Sequence, residues 1–208
     1  MSTLYTNARF WSAGQEIFHD LLVKDSIILA TGEQTKEFTA ETTIDLNGAF
    51  VIPAFLDGHA HPIFAGREAA GPKINGINSI EEIKAQVKAF AQANPTTPWI
   101  IGGAYEAAII EGGDFDAKWL DEVVSDRPVV LHAVDHHTIW VNSKAIELSG
   151  ITSATKDPQG GTIARNSDGC AKGTLREPSA MALVLNHAPA NTIESDIAAI
   201  TYACAEYR

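Results

Sequence analysis

The stretch from Ala49 to Phe64, A-F-V-I-P-A-F-L-D-G-H-A-H-P-I-F, constrains what this chain can fold into more than any other. An apolar run that stops abruptly at Asp57, Gly58, His59, Ala60 and His61 has the pattern of a strand buried on both faces that delivers polar side chains at its C-terminal end. In α/β folds that end of the strand is where the chemistry sits. Side chains alternate along an extended backbone, so Asp57, His59 and His61 are expected to point the same way, with the two imidazoles converging on one ion. Two histidines near a turn also arise by chance. Asp57 ahead of the pair, the apolar lead-in and Gly58 at a point of backbone freedom favour the ligand pair.

With 208 residues, of which 45% are hydrophobic and 20% charged, the chain has the composition of an ordinary globular protein able to bury a core. Its formal net charge of −11, without any run of Lys and Arg, argues against nucleic acid as a partner. The opening Met1-Ser2-Thr3-Leu4-Tyr5 lacks the basic and apolar regions of a secretory signal, and no apolar run approaches the roughly 20 residues of a membrane span. A cytoplasmic protein without membrane contact is therefore expected. Cys170 and Cys204 fit neither a disulfide framework nor a Cys-x-x-Cys metal pattern, and free thiols are expected.

Before the His-x-His stretch, short strands are predicted over Leu4 to Trp11, Glu16 to Lys24, Ser26 to Ala30 and Thr42 to Leu46, separated by Gly14, Gly32 and Gly48. His19 reads there as a packed or surface imidazole. After it, Pro62 to Asn78 reads as loop, in which Arg67 and Glu68, near the expected strand mouth, could each line a site, the solvated loop charge being the favoured reading. Ser79 opens a helix as its N-cap, with Glu82 three residues on and Ile80, Ile83, Val87 and Phe90 on one face, and Asn94-Pro95 stops it. Trp99 to Tyr105 is predicted to be a strand. Its Gly102-Gly103 pair matches no phosphate-binding loop. A short helix carries Trp119, Leu120 and Val123, and a second buried strand spans Val129 to Val134. At its end His132 and His136 are expected to make ordinary polar contacts. Asn142 caps a short helix that Gly150 closes, the turn clusters at 157–163 and 166–169 flank a hairpin strand, and a helix over 191–208 places Ile193, Ile197, Ile200 and Cys204 on one face.

Val51-Ile52-Pro53-Ala54-Phe55-Leu56-Asp57-Gly58-His59-Ala60-His61 resembles the first-strand signature of the amidohydrolase superfamily, V-x-P-G-h-I-D-x-H-x-H, with Ala54 where glycine is commoner. The run from Leu131 to Ala145, with Asp135-His136-His137 and Trp140-Val141-Asn142-Ser143, resembles the D-G-H-x-x-W-V-N-S signature of amidohydrolase family 3. That branch comprises the YtcJ-like metal-dependent hydrolases, N-substituted formamide deformylases among them. Gly173-Thr174-Leu175-Arg176-Glu177 is similar to the same branch's G-h-L-x-E, and Leu22 to Ile28 fits the hairpin that precedes its barrel.

The resemblance implies an α/β fold: an incomplete (β/α)₈ TIM barrel over 49–208, carrying an inserted α+β subdomain at about 95–178. Residues 1–48 would be the N-terminal part of a flanking β-sandwich. It implies a divalent metal, zinc foremost, one or two ions in the complete enzyme, held in part by His59 and His61, with Asp57 orienting the strand end. His137, Trp140 and Glu177 would lie on the substrate side. The implied reaction is hydrolysis of an amide-like C–N bond of a small molecule by a metal-activated water. A barrel of this kind takes about 250 residues. The remaining strands, a bridging carboxylated lysine, two further histidines and a metal-binding aspartate would lie beyond residue 208, so the chain is expected to be an inactive N-terminal portion that self-associates. The alternative is a non-catalytic module that self-associates or binds a partner through unpaired strands. A deaminase acting on a ring is a third.

Overall fold

Alternation of apolar and polar residues, broken by residues that tolerate positive φ, sets the strands of the N-terminal part. In the computed structural model, which describes residues 1–12 and 17–206, β1 (Ser2–Thr6) ends at Asn7, whose φ is 53°. The chain resumes as β2 (Arg9–Phe10), so the single predicted strand from Leu4 to Trp11 is two. β3 (Leu21–Lys24) and β4 (Ile27–Thr31) form a hairpin in which Lys24 faces Ile27. Its two-residue turn, Asp25 and Ser26, takes φ of 49° and 66°, as a primed turn requires. β5 (Thr42–Asp45) pairs parallel with β1, giving the order β4-β3-β1-β5, and β6 (Phe50–Val51) pairs parallel with β2. Gly14 and Glu16 lie outside the described residues. His19 is an exposed imidazole, its Nδ1 lying 2.7 Å from the Ala8 carbonyl.

The expected long buried strand from Ala49 to Asp57 is not formed. β6 covers two residues, 52–60 have no regular structure, and Phe55 and Leu56 are 91% and 97% exposed. An apolar run becomes a buried strand only with neighbours on both edges, and within this part of the chain it has β2 alone. By its contacts the chain divides into two units, Met1–Ala60 and His61–Arg208, so residues 49–60 belong with the N-terminal strands and not with the second unit.

The second unit starts with α1 (Pro62–Ala69), where loop was expected. Pro62 at the first helical position suits a helix start, because its missing N–H has no partner to lose there. α2 (Ile80–Ala93) keeps its predicted bounds: Ser79 Oγ accepts from the Glu82 N–H, and Asn94 closes it. β7 (Ile100–Tyr105), α3 (Ala117–Asp121) and β8 (Val129–Ala133) form a βαβ unit, the two strands parallel. β9 (Thr138–Val141) then returns antiparallel to β8, a hairpin not expected from the sequence. α4 (Ser143–Leu148), the hairpin β10 (Thr162–Arg165) and β11 (Ala171–Arg176), α5 (Glu177–Leu185) and α6 (Ile193–Glu206) complete the unit, with sheet order β10-β11-β9-β8-β7.

The pleat divides this sheet's side chains between two cores. Ile100, Val129, Leu131 and Trp140 pack with Ile83 and Val87 of α2 and Leu120 of α3. Val130, Ile139, Val141 and Leu175 pack with Ala145 of α4 and Met181 and Val184 of α5. Each fully buried Val, Ile or Leu contributes about 1.5–3 kcal/mol. Asn142 joins the layers: its Oδ1 accepts from the Ala145 and Val129 N–H groups, and its Nδ2 donates to the Val124 and Arg127 carbonyls.

The face of α6 that carries Ile193, Ile197 and Ile200 is exposed, with Ile193 at 75% and Ile197 at 61%, whereas Ala199 and Ala203 are buried. The reason is closeness of approach. A Cβ on Gly66 of α1 would collide with the Ala199 backbone, so small residues set the α1–α6 contact and the isoleucines turn outward. Among the described residues no helix is long and apolar enough to cross a membrane.

Candidate active site

In the first unit, Asp57 Oδ1 accepts a hydrogen bond from the His59 N–H at 2.9 Å, so this carboxylate holds the backbone that carries the first histidine. His61 belongs to the second unit, where it is the residue from which α1 departs. Its ring lies 5.7 Å from that of Phe64, which lies 5.2 Å from that of His136. Among the described residues no three His, Cys, Asp or Glu side chains are grouped to hold a metal ion. Zinc sites take three or four protein ligands. The donors among the described residues therefore do not make up a complete metal centre.

The sequence candidates His137 and Glu177 meet. Asp135 and His136 turn the chain from β8 into β9, His136 at a φ of 58°, and Asp135 Oδ1 accepts from the His137 N–H. The His137 carbonyl accepts from the Glu177 N–H at 2.7 Å, and His137 Nδ1 lies 3.0 Å from Glu177 Oε2. That hydrogen bond, with the glutamate's charge adding to it, raises the His137 pKa above its ordinary 6.5. Glu177 itself sits at a φ of 69°, which costs a non-glycine residue about 1 kcal/mol or more. Such strain concentrates at functional positions. The pair lines an open hollow of about 420 Å³ together with Asp135 and Arg176, whose guanidinium is held by Asp114 at 2.6 Å.

Trp140, expected on the substrate side, does not line this hollow. Its side chain is fully buried, packed against Tyr105, Phe115 and Trp119, and its Nε1–H donates to the Asp116 carbonyl at 3.0 Å. Every residue of β9 is buried, which leaves a ring this large no route to solvent. In the described chain it is a core residue.

A second group of polar side chains is not evident from the sequence. Glu68, expected to be a solvated loop charge, lies on α1 with its side chain 16% exposed, and its Oε1 is 3.4 Å from His136 Nδ1. The His132 ring, from β8, lies 6.5 Å from that of His136. Burial pushes the Glu68 carboxyl up to about 7. Burial, with the His136 charge adding to it, pushes His132 down to about 4. The three side chains share a cavity of about 970 Å³ lined by Phe64, Trp99, Leu185 and Tyr202 among others. The available signal was Gly102-Gly103. A Cβ on Gly102 would collide with Pro72 and one on Gly103 with Glu68, so these glycines mark where α1 and the segment after it press against β7.

Comparison with known proteins identifies the family. A family model described as the amidohydrolase family matches residues 42–208. The protein YtcJ of Bacillus subtilis is 35% identical over 173 residues, covering 80% of this chain and 32% of its own length. Protein LONG AFTER FAR-RED 3 of Arabidopsis thaliana is 32% identical over 187 residues, 87% of this chain and 32% of its own. An N-substituted formamide deformylase of Arthrobacter pascens is 27% identical, over 84% and 33% respectively. The crystal structure of an uncharacterized metal-dependent hydrolase from Pyrococcus furiosus superposes with a TM-score of 0.63 at 22% identity, covering 99% of this chain and 42% of that one, which shows a shared fold. The chain thus spans about a third of the length of the first two of these relatives. With a family match that takes in His59, His61, His137 and Glu177 together, this chain belongs to the amidohydrolase family, in its family 3 branch.

Proposed function

We propose that this chain is the N-terminal portion of a metal-dependent hydrolase that acts on an amide-like, non-peptide C–N bond of a small molecule. The observation that carries the reading is the family match over 42–208, which includes the His-x-His pair and the His137–Glu177 pair in one span. His59 and His61 would hold part of a divalent metal site, zinc being the ion suited to imidazole donors and hydrolysis, and further ligands would come from outside these 208 residues. When bound, such an ion polarises a carbonyl and lowers the pKa of water. The chain's own contribution on the substrate side is His137, fixed through its N–H by Asp135 and through its ring by Glu177. This arrangement can hold or release a proton at Nε2 while Nδ1 stays engaged.

The parallel β7 and β8 would be two strands of a (β/α)₈ barrel, β9 to β11 an insertion, and the first unit part of a β-sandwich. The exposed apolar run at Phe55 and Leu56 would be the barrel strand that lacks its neighbours. The test is a screen of amides and N-formyl amines with the 208-residue chain and with a form extended by the rest of a barrel. Turnover by the extended form alone is expected, and turnover by neither would overturn the reading.

A second reading is favoured by the apolar surface at Ile27 and Ile28 in the first unit and Ile193 and Ile197 on α6. These faces would be covered by a second copy of the chain, so that it acts as a self-associating module. Light scattering tests it, and a monomer at high concentration counts against it.

A further inference from the structure

We propose that the cavity between α1, α6 and the ends of β7 and β8 is an amine-binding site, in which Glu68 takes the ammonium group of a small organic amine and apolar side chains take its hydrocarbon body.

The first ground is an unsatisfied oxygen. Glu68 Oε1 is buried and has no hydrogen-bond partner among the described residues. The His136 ring nitrogen 3.4 Å away is within ion-pair distance but not in hydrogen-bonding geometry. Buried carboxyl oxygens are nearly always satisfied, and Glu68 is one of the residues that line the cavity, so this carboxyl calls for a donor from a ligand.

The second ground is that the carboxyl is built in. Any side chain at 103 would displace it, so glycine there reserves the space it fills against β7. Arg67, the cation on the same wall, is held by Asp196 at 2.7 Å, and the other ionisable wall groups are His132, His136 and the Tyr202 phenol. His132 stays neutral at ordinary pH because of its burial.

The third ground is the shape and lining. About 970 Å³ is at the upper end of the range of small-molecule cavities, and Phe64, Phe90, Trp99, Leu185 and Tyr202 present mostly apolar surface. One acidic group in an apolar cavity selects a ligand with one cationic N–H head and a hydrocarbon body, and it opposes carboxylates and phosphates. An amine is also what hydrolysis of an amide-like C–N bond releases. That role rests on the proposed hydrolase function, whereas the binding does not.

The test is calorimetric titration of the 208-residue chain at pH 8 with 2-phenylethylamine and with 2-phenylethanol, which share the hydrocarbon body and differ in the head group. The amine is expected to bind saturably and at least about tenfold more tightly than the alcohol. In Glu68→Gln that preference is expected to fall to within about twofold. Displacement of the carboxyl in Gly103→Ala is expected to weaken amine binding likewise. Equal affinity of the two probes for the unsubstituted chain, or no saturable binding of either, would overturn the proposal without any variant having to fold. So would an undiminished preference in a folded Glu68→Gln protein. None of these readings depends on metal or turnover, so their failure is distinguishable from failure of the hydrolase reading.

Discussion

His137 Nδ1 lies 3.0 Å from Glu177 Oε2, across 40 residues of sequence that contain α4 and the β10–β11 hairpin. The contact raises the His137 pKa above 6.5. A folded value above the unfolded one means that the pair's stabilisation is complete below about pH 6.5 and is lost as pH rises through the folded value. Both side chains are largely exposed, so the effect on stability is small and the titration itself is the better readout. A histidine C–H signal assigned to His137 should titrate above 6.5 and return towards 6.5 in Glu177→Gln.

Glu68 runs the same way, over a lower pH range. Its folded pKa of about 7 lies above the ordinary 4.5, so the folded protein keeps a proton that the unfolded chain releases. Stability conferred in acid is therefore lost as pH rises from about 4.5 and levels off above about 7. Glu68→Gln removes the dependence. Urea denaturation should find the variant close to the unsubstituted protein at pH 5 and more stable by on the order of 1–3 kcal/mol at pH 8. Equal differences at both pH values would contradict the burial of this carboxyl.

Asn142 is fully buried and makes four hydrogen bonds, to the segment between α3 and β8, to β8 and to α4. Asn142→Ala leaves two N–H groups and two carbonyls without it, and should cost about 2–4 kcal/mol by chemical denaturation. Ser143→Ala, next along the chain, loses an exposed hydroxyl contact to Asp121 and should cost less than about 1 kcal/mol.

Local chemistry in the sequence is enough wherever an element is set by its own ends. Ser79 and Asn94 bound α2, Asp25-Ser26 turns the β3–β4 hairpin, and Asn142 and Gly150 bound α4. What the sequence hides depends on distant partners. Gly66 reads as a loop residue because its reason, the Ala199 backbone, lies far along the chain in α6. Glu68 reads as solvated for the same reason, its cover coming from β7 and the β8–β9 turn. The apolarity of Ala49 to Asp57 predicts a strand, but pairing needs neighbours that Met1–Ala60 does not supply. For the site, motif resemblance singles out His137 and Glu177, which meet. The same motif places Trp140 on the substrate side, where alternation along β9 cannot reveal that both of its faces are covered.

The proposed hydrolase function depends above all on His59 and His61 being metal donors. Calorimetric titration of Zn²⁺ into the 208-residue chain, beside His59→Asn and His61→Asn, tests this most directly. Saturable binding by the unsubstituted chain, weakened at least about tenfold by each substitution, is the predicted result. Equal binding by all three proteins, or none by the unsubstituted chain, would contradict it.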